Sequence, residues 1–429
     1  MATGYTGISS LKKARNLNIG EVPHNTFWDT GDERELKMHR IHAYPAKFPA
    51  FITRKALAYA KAKNINVTRV ADVFCGCGTV AFEAQRESIA FWGCDINPVA
   101  TLIARAKSHQ YDIEQLQEYY NEVIAEYRAA SRAIGLTKAA RDRLNYWYPD
   151  SQLRSLAKLR NSIYSVVPEN SNYSDFFLCA FSNILKACSR WLTKSIKPQI
   201  DPLKTPATVL ASFEMQFKLM LKAYSECPTS ESVNTHILNT NFLTVEQNDA
   251  GLVDMIITSP PYVTSYEYAD LHQLSSLWLG FANDYKDLRN GSIGTTQHDF
   301  NFNREVKRLN ESGSEIVFSL FSLDSRAAKS VAKYYLDMQE VALRCAKMLP
   351  ETGLGVFVIG NTKYKGILID NAKHLTESLI HAGFSSVSIA KRSISNKILT
   401  PYRTPSGRFT KSNEEGQVYG EEFILIAER

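Results

Sequence analysis

No stretch of this chain is apolar for long enough to cross a bilayer, and its first residues lack the charged-then-apolar pattern of a leader. A cytoplasmic protein without a membrane anchor is the expectation. A disulfide framework is disfavoured too: the seven cysteines are scattered and odd in number. An excess of charge of either sign is nearly lacking. Lys and Arg number 50 against 44 Asp and Glu, a formal net charge of +6. That balance permits a polyanionic partner without demanding one. Metal-ligand spacing is missing as well. His39 and His42 have no companions at ligand spacing, and Cys75 and Cys77 lie too close together in sequence for a good zinc pair. No metal is expected. What is present is an ordinary globular composition, 44% hydrophobic over 429 residues. That allows one large domain with insertions, or two domains.

The most informative stretch is Thr258-Ser259-Pro260-Pro261-Tyr262. It follows Leu252–Ile257, an apolar run that reads as a buried strand. A Pro-Pro pair cannot continue a strand, so the chain turns sharply. The product is a rigid loop at a strand's C-terminal end. It carries a hydroxyl, a carbonyl without a ladder partner and an aromatic ring. That set suits a flat base with an exocyclic amine. A proline-rich turn after a core strand is the plainer alternative.

A second constellation lies upstream. Val70–Phe74 reads as a strand, running into Cys75-Gly76-Cys77-Gly78-Thr79 and then a helix from Val80 to about Ser88. Strand, glycine turn and helix let the backbone approach a nucleotide-like ligand. The Lys-Ser/Thr pair of a phosphate loop is missing. The next strand, Ala90–Asp95, ends in an acid followed by Ile96-Asn97-Pro98. Asp95 can accept from ribose hydroxyls or cap the following helix. Before both strands lies His39–Pro49, a rigid segment of rings and prolines.

Taken together, Thr258–Tyr262, the Asp72-Val-Phe-x-Gly-x-Gly-Thr turn, Asp95 and Tyr44-Pro-Ala-Lys-Phe-Pro49 resemble the S-adenosylmethionine-dependent DNA amino-methyltransferases. The resemblance runs over about residues 39–109 and 233–426. It implies an α/β fold: a Rossmann-like, seven-stranded methyltransferase sheet with an antiparallel final hairpin. It implies S-adenosylmethionine held by Tyr44, Lys47, Phe48, Asp72, Phe74, Gly76, Gly78, Thr79, Asp95, Ile96 and Thr258. Asn241 or Asn239 would meet the cofactor's adenine amine. Ser259, Pro260, Pro261 and Tyr262 would be catalytic. Ser-Pro-Pro-Tyr is the commoner form in cytosine-N4 enzymes, which favours that target. Adenine N6, an RNA base, and a silent nucleic-acid-binding protein stay open. The implied partner is double-stranded DNA with the target base flipped out, with a cognate restriction endonuclease as a second partner. No Pro-Cys dipeptide is present for a cytosine-C5 nucleophile, nor the His-x-Glu and Pro-Cys-x-x-Cys pattern of zinc deaminases.

The chain then divides into residues 1–112, with the cofactor pocket, 113–232, and 233–429, with the catalytic loop. Residues 113–232 read as a large helical insertion with apolar residues at three-to-four spacing. Lys138, Arg141, Arg143, Tyr146, Trp147 and Tyr148 interleave basic and aromatic side chains there. Nucleic-acid contact and solvated helix faces both fit that pattern. The stretch from Asp284 to about Ser325 is polar and reads as a loop beside the site. Between the last two strands lies a basic loop with Lys391 and Lys411, and with Arg392, Lys397, Arg403 and Arg408 as the expected phosphate contacts.

Overall fold

The computed structural model describes all residues except 1–3, 32–33, 46, 130–135, 228–232, 264–267, 295–299, 395–401, 404–408 and 411–419. Its strands are β1 (Thr6–Ile8), β2 (Arg69–Asp72), β3 (Ala90–Asp95), β4 (Thr235–Asn239), β5 (Met255–Thr258) and β6 (Leu354–Ile359). They continue with β7 (Thr362–Tyr364), β8 (Ile367–Ile369), β9 (Ser386–Ser393), β10 (Tyr402–Arg403), β11 (Phe409–Thr410) and β12 (Glu421–Glu428). Eight of them form one sheet in the order β1-β9-β12-β6-β5-β2-β3-β4. β2 to β6 run parallel. β12 lies antiparallel between β6 and β9.

Seven of these strands make the Rossmann-like sheet the sequence implies. The eighth, β1, is an addition. It is three residues long and pairs antiparallel with β9 at the sheet edge, too short to show any periodicity. Strand order reverses between β2 and β5. In such sheets ligands bind at that reversal, beyond the strands' carboxyl ends.

The central strands are apolar throughout because both faces are covered. Ile256, Phe357 and Ile359 point to one core, formed with the helices Ser325–Met348 and Asn371–His381. Met255, Ile257, Val356 and Val358 point to the other, against Ala50–Ala62 and Thr79–Arg86. This is the alternation of a strand read at its period of two.

After the helix Pro98–Ser108, five more helices precede β4: Ile113–Ala129, Lys138–Trp147, Asp150–Val166, Asn172–Ile184 and Val209–Glu226. Their apolar faces meet in a cluster rich in rings, with Tyr120 stacked on Phe217 at 4.1 Å. That cluster also takes in Met38, Ile41, Phe82, Leu102 and Trp278. The stretch expected as a loop after Asp284 is partly helical. Glu311–Phe321 is capped by Asn310, whose side chain accepts from Gly313 N, and it buries Val317 and Leu320. Among the described residues, no helix is long and apolar enough to cross a membrane.

Candidate active site

The switch point is built on two carboxylates, Asp72 buried and Asp95 half-buried. Asp72 ends β2 and accepts from Phe74 N at 3.1 Å and from Thr258 Oγ1 at 2.6 Å. Thr258 thus ties the end of β5 to the start of the glycine turn. Asp95 ends β3 and accepts from Gly76 N at 2.9 Å and Asn97 N at 2.8 Å. Burial pushes the Asp72 carboxyl up to about 7, against the pull of its two hydrogen bonds and with the help of the nearby Asp95 charge. Burial raises Asp95 to about 6. Gly76 and Gly78 both have positive φ, +48° and +73°. A Cβ on Gly78 would lie 2.7 Å from the Cα of Ala104, so the glycine lets two helices close together. A Cβ on Gly76 would meet nothing nearer than Tyr44, at 3.8 Å. Thr79 Oγ1 at this turn and Asn97 Nδ2 after β3 are buried without partners among the described residues. An open backbone turn, a strand-end carboxylate and two orphaned polar atoms fit a nucleoside-containing cofactor. Among the described residues no cluster could hold a metal ion.

The Pro-Pro loop follows Thr258 directly. Ser259 Oγ donates to the carbonyl of Val358 at 3.0 Å. Its proton is thereby committed, and its lone pairs are left to accept. Among the described residues nothing donates to the Pro260 carbonyl. Pro261 is half-buried beside the buried Pro260. Tyr262 lies against Gly360, where a Cβ would sit 3.0 Å from its ring. Its hydroxyl donates to Glu422 Oε1 at 3.2 Å. Burial first, and the Glu422 carboxylate second, hold the Tyr262 hydroxyl well above its ordinary pKa. Glu422 is itself ion-paired with Arg392.

A methyltransferase matches nearly the whole of this chain. The type II methyltransferase M.MvaI of Kocuria varians is 23% identical over 432 residues, spanning 94% of this chain and 92% of that protein. Two solved structures of the rRNA methyltransferase aviRa of Streptomyces viridochromogenes share 9% identity at a TM-score of 0.26. They cover 80% and 90% of this chain, and 92% and 88% of their own. No protein-family model matches the sequence.

The remaining expected cofactor residues divide. Tyr44 stacks on His272, ring centroids 5.0 Å apart, and stands over the glycine turn. The Lys47 ammonium pairs with Glu35 at 2.7 Å and donates to the His39 carbonyl at 2.7 Å. Phe48 packs against the core of Trp28 and Ile52. Phe74 meets Phe242 edge-on at 6.4 Å. Ile96 and Asn241 lie side by side under Gly291, each with an atom 3.5 Å from where its Cβ would be. Both ends of the Asn241 amide are in use, Oδ1 accepting from Leu243 N and Nδ2 donating to Gly291 O. Asn239 donates to the carbonyls of Asp95 and Ile96.

Of the four expected phosphate contacts, Arg392 is placed elsewhere. It is 3% exposed, packed over the Phe51 ring at 5.6 Å and paired with Glu422. The reason is that β9 runs on to Ser393 and carries Arg392 into the sheet, directly opposite Glu422 of β12. Lys397 and Arg408 lie outside the described residues, and of Arg403 only the backbone, in β10, is described. Sequence reasoning missed Glu422 and Gly360, which fix Tyr262. Glu422 shows itself only once the register of β9 and β12 is known.

Proposed function

We propose that this chain is an S-adenosylmethionine-dependent DNA methyltransferase that modifies the exocyclic N4 amine of cytosine, within a restriction-modification or related defence system. One observation carries the reading. Ser259-Pro260-Pro261-Tyr262 stands at the carboxyl end of β5, joined through Thr258 to the Asp72 turn on the neighbouring strand. The full-length similarity to a type II methyltransferase supports it.

The cofactor would lie along the glycine turn, with Asp95 toward its ribose and Tyr44 over the turn. Bound there, it supplies an electrophilic methyl on a sulfonium. An exocyclic amine is a weak nucleophile because its lone pair is delocalised into the base. Two acceptors aimed at its hydrogens localise that pair on nitrogen. Ser259 Oγ is suited to this because its own proton is held by Val358. The Pro260 carbonyl is the second acceptor. Tyr262, fixed by Gly360 and Glu422, offers a ring for the base to stack on. The contribution of the site is orientation of donor and acceptor. In a duplex the base must first leave the stack.

Labelled S-adenosylmethionine, incubated with the protein and mixed genomic DNA and followed by nucleoside mass spectrometry, tests the reading. N4-methylcytosine is the expected product. N6-methyladenine would keep the chemistry and move the target. Label in RNA alone would overturn the DNA assignment.

A further inference from the structure

The charge of this chain is unevenly placed. Residues 136–204 carry eleven Lys and Arg against five Asp and Glu, a net +6 equal to that of the entire chain. The other 360 residues hold thirty-nine charges of each sign. The positive excess therefore belongs to one part of the helical block.

Much of that excess lies on one helix and on the loop packed against its end. The helix Lys138–Trp147 exposes Lys138, Arg141 and Tyr146, the last 51% exposed. Its C-terminal end is joined to the loop 190–201. Arg190 N donates to Trp147 O at 2.8 Å, its guanidinium reaches the carbonyls of Asn145 and Tyr146, and Trp191 stacks on Trp147 at 4.8 Å. The bridge between Trp191 and Ile200 closes this loop, leaving Lys194 and Lys197 exposed. Two other lysines brace it from within. Lys186 donates to Ser195 O, and Lys204 to the carbonyls of Lys186 and Trp191. Lys138, Arg141, Lys194 and Lys197 are different: among the described residues none has a carboxylate partner. Four exposed cations without carboxylate partners, against one exposed acid, Asp142, on the same helix, match a polyphosphate backbone in charge.

The face is also wired to the catalytic end of the fold. Arg143 lies among the rings of Tyr146, Trp147 and Tyr285, at 5.1, 5.5 and 5.4 Å. Arg143 Nε and Trp147 Nε1 both donate to Gln273 Oε1, at 2.9 and 3.0 Å. Gln273 is fully buried, eleven residues beyond Tyr262, and its neighbour His272 carries Tyr44 over the glycine turn.

We infer that this face, built from the helix Lys138–Trp147 and the loop 190–201, is the docking surface for the phosphate backbone of duplex DNA. The inference rests on the reading of the chain as a DNA methyltransferase and locates where the duplex is held. Phosphate contacts set position and orientation without reading sequence. Lys138, Arg141, Lys194 and Lys197 would neutralise phosphates, while Gln273 holds the surface next to the His272–Tyr44 stack over the glycine turn.

The test is fluorescence anisotropy of a labelled duplex of genomic sequence, titrated with the full chain at several salt concentrations. The variant is Lys138→Ala/Arg141→Ala/Lys194→Ala/Lys197→Ala. The control is Lys12→Ala/Lys13→Ala/Arg326→Ala/Lys329→Ala, four exposed cations outside the face. Circular dichroism melting shows that both are folded. Loss of four phosphate contacts flattens the slope of log K against log salt by about 3 to 4. Affinity should drop roughly tenfold or more at 0.1 M salt, with the control near wild type. A folded variant with wild-type affinity and slope, while the wild type binds duplex, overturns this surface and leaves the proposed activity standing. A wild type that binds no duplex overturns both. Tighter binding of RNA of the same sequence overturns DNA as the occupant.

Discussion

Replacing Asp72 by Asn removes a titrating group from the switch point and keeps an acceptor for Thr258 and Phe74. In the folded protein this carboxyl titrates at about 7, against 3.8 as its ordinary value. A raised acid pKa means that the folded state holds the proton more tightly. The stabilisation is complete below the unfolded value and is lost as pH rises through the folded one. Between pH 5 and pH 8 the wild type should lose about 2.5 kcal/mol of stability from this group alone. Asp72→Asn should lack that loss, because every other titrating group is shared. Urea unfolding at pH 5, 6, 7 and 8 measures the difference directly. The stability of the variant relative to the wild type should therefore rise by about 2.5 kcal/mol from pH 5 to pH 8. Parallel stability profiles for the two proteins would refute the claim that Asp72 is desolvated at the foot of the cofactor turn.

Three further outcomes test the site and its turn. Ser259→Ala removes an acceptor aimed at the amine, so methyl transfer should fall roughly 10²-fold with S-adenosylmethionine affinity by calorimetry unchanged; Tyr262→Ala should cost roughly 10- to 100-fold in the same assay. Gly78→Ala should destabilise the fold by about 2–4 kcal/mol, from positive φ and overlap with Ala104, seen as a lower urea midpoint.

The central parallel strands were legible because they carry apolar runs bounded by turn residues, as in Met255–Thr258 before Ser259. The glycine turn and Asp95 were legible because their spacing is local. What depends on pairing across the sheet was not. Arg392 looks like a loop cation when the strand is read as ending at Ile389; four more residues of β9 turn it into the buried partner of Glu422. Lys47 was named through the Tyr44–Pro49 segment, and its pairing with Glu35 is a contact that the sequence does not display. The helical periodicity of Ile113–Ala129 and Val209–Glu226 was plain. The loop between Trp191 and Ile200 has no period to betray it.

The apolar cluster that joins the helical block to Met38, Ile41, Phe82 and Trp278 sets a limit on how this protein can diversify. A cassette can be exchanged between relatives when its seam is polar and few side chains cross it. Here the seam passes through packed rings, where each mismatched aromatic costs about 3–5 kcal/mol. Variation of this block is thus confined to substitutions on its outer face, one side chain at a time. A graft from a relative must bring the segment around Ile41 and the helix Gln273–Trp278 with it.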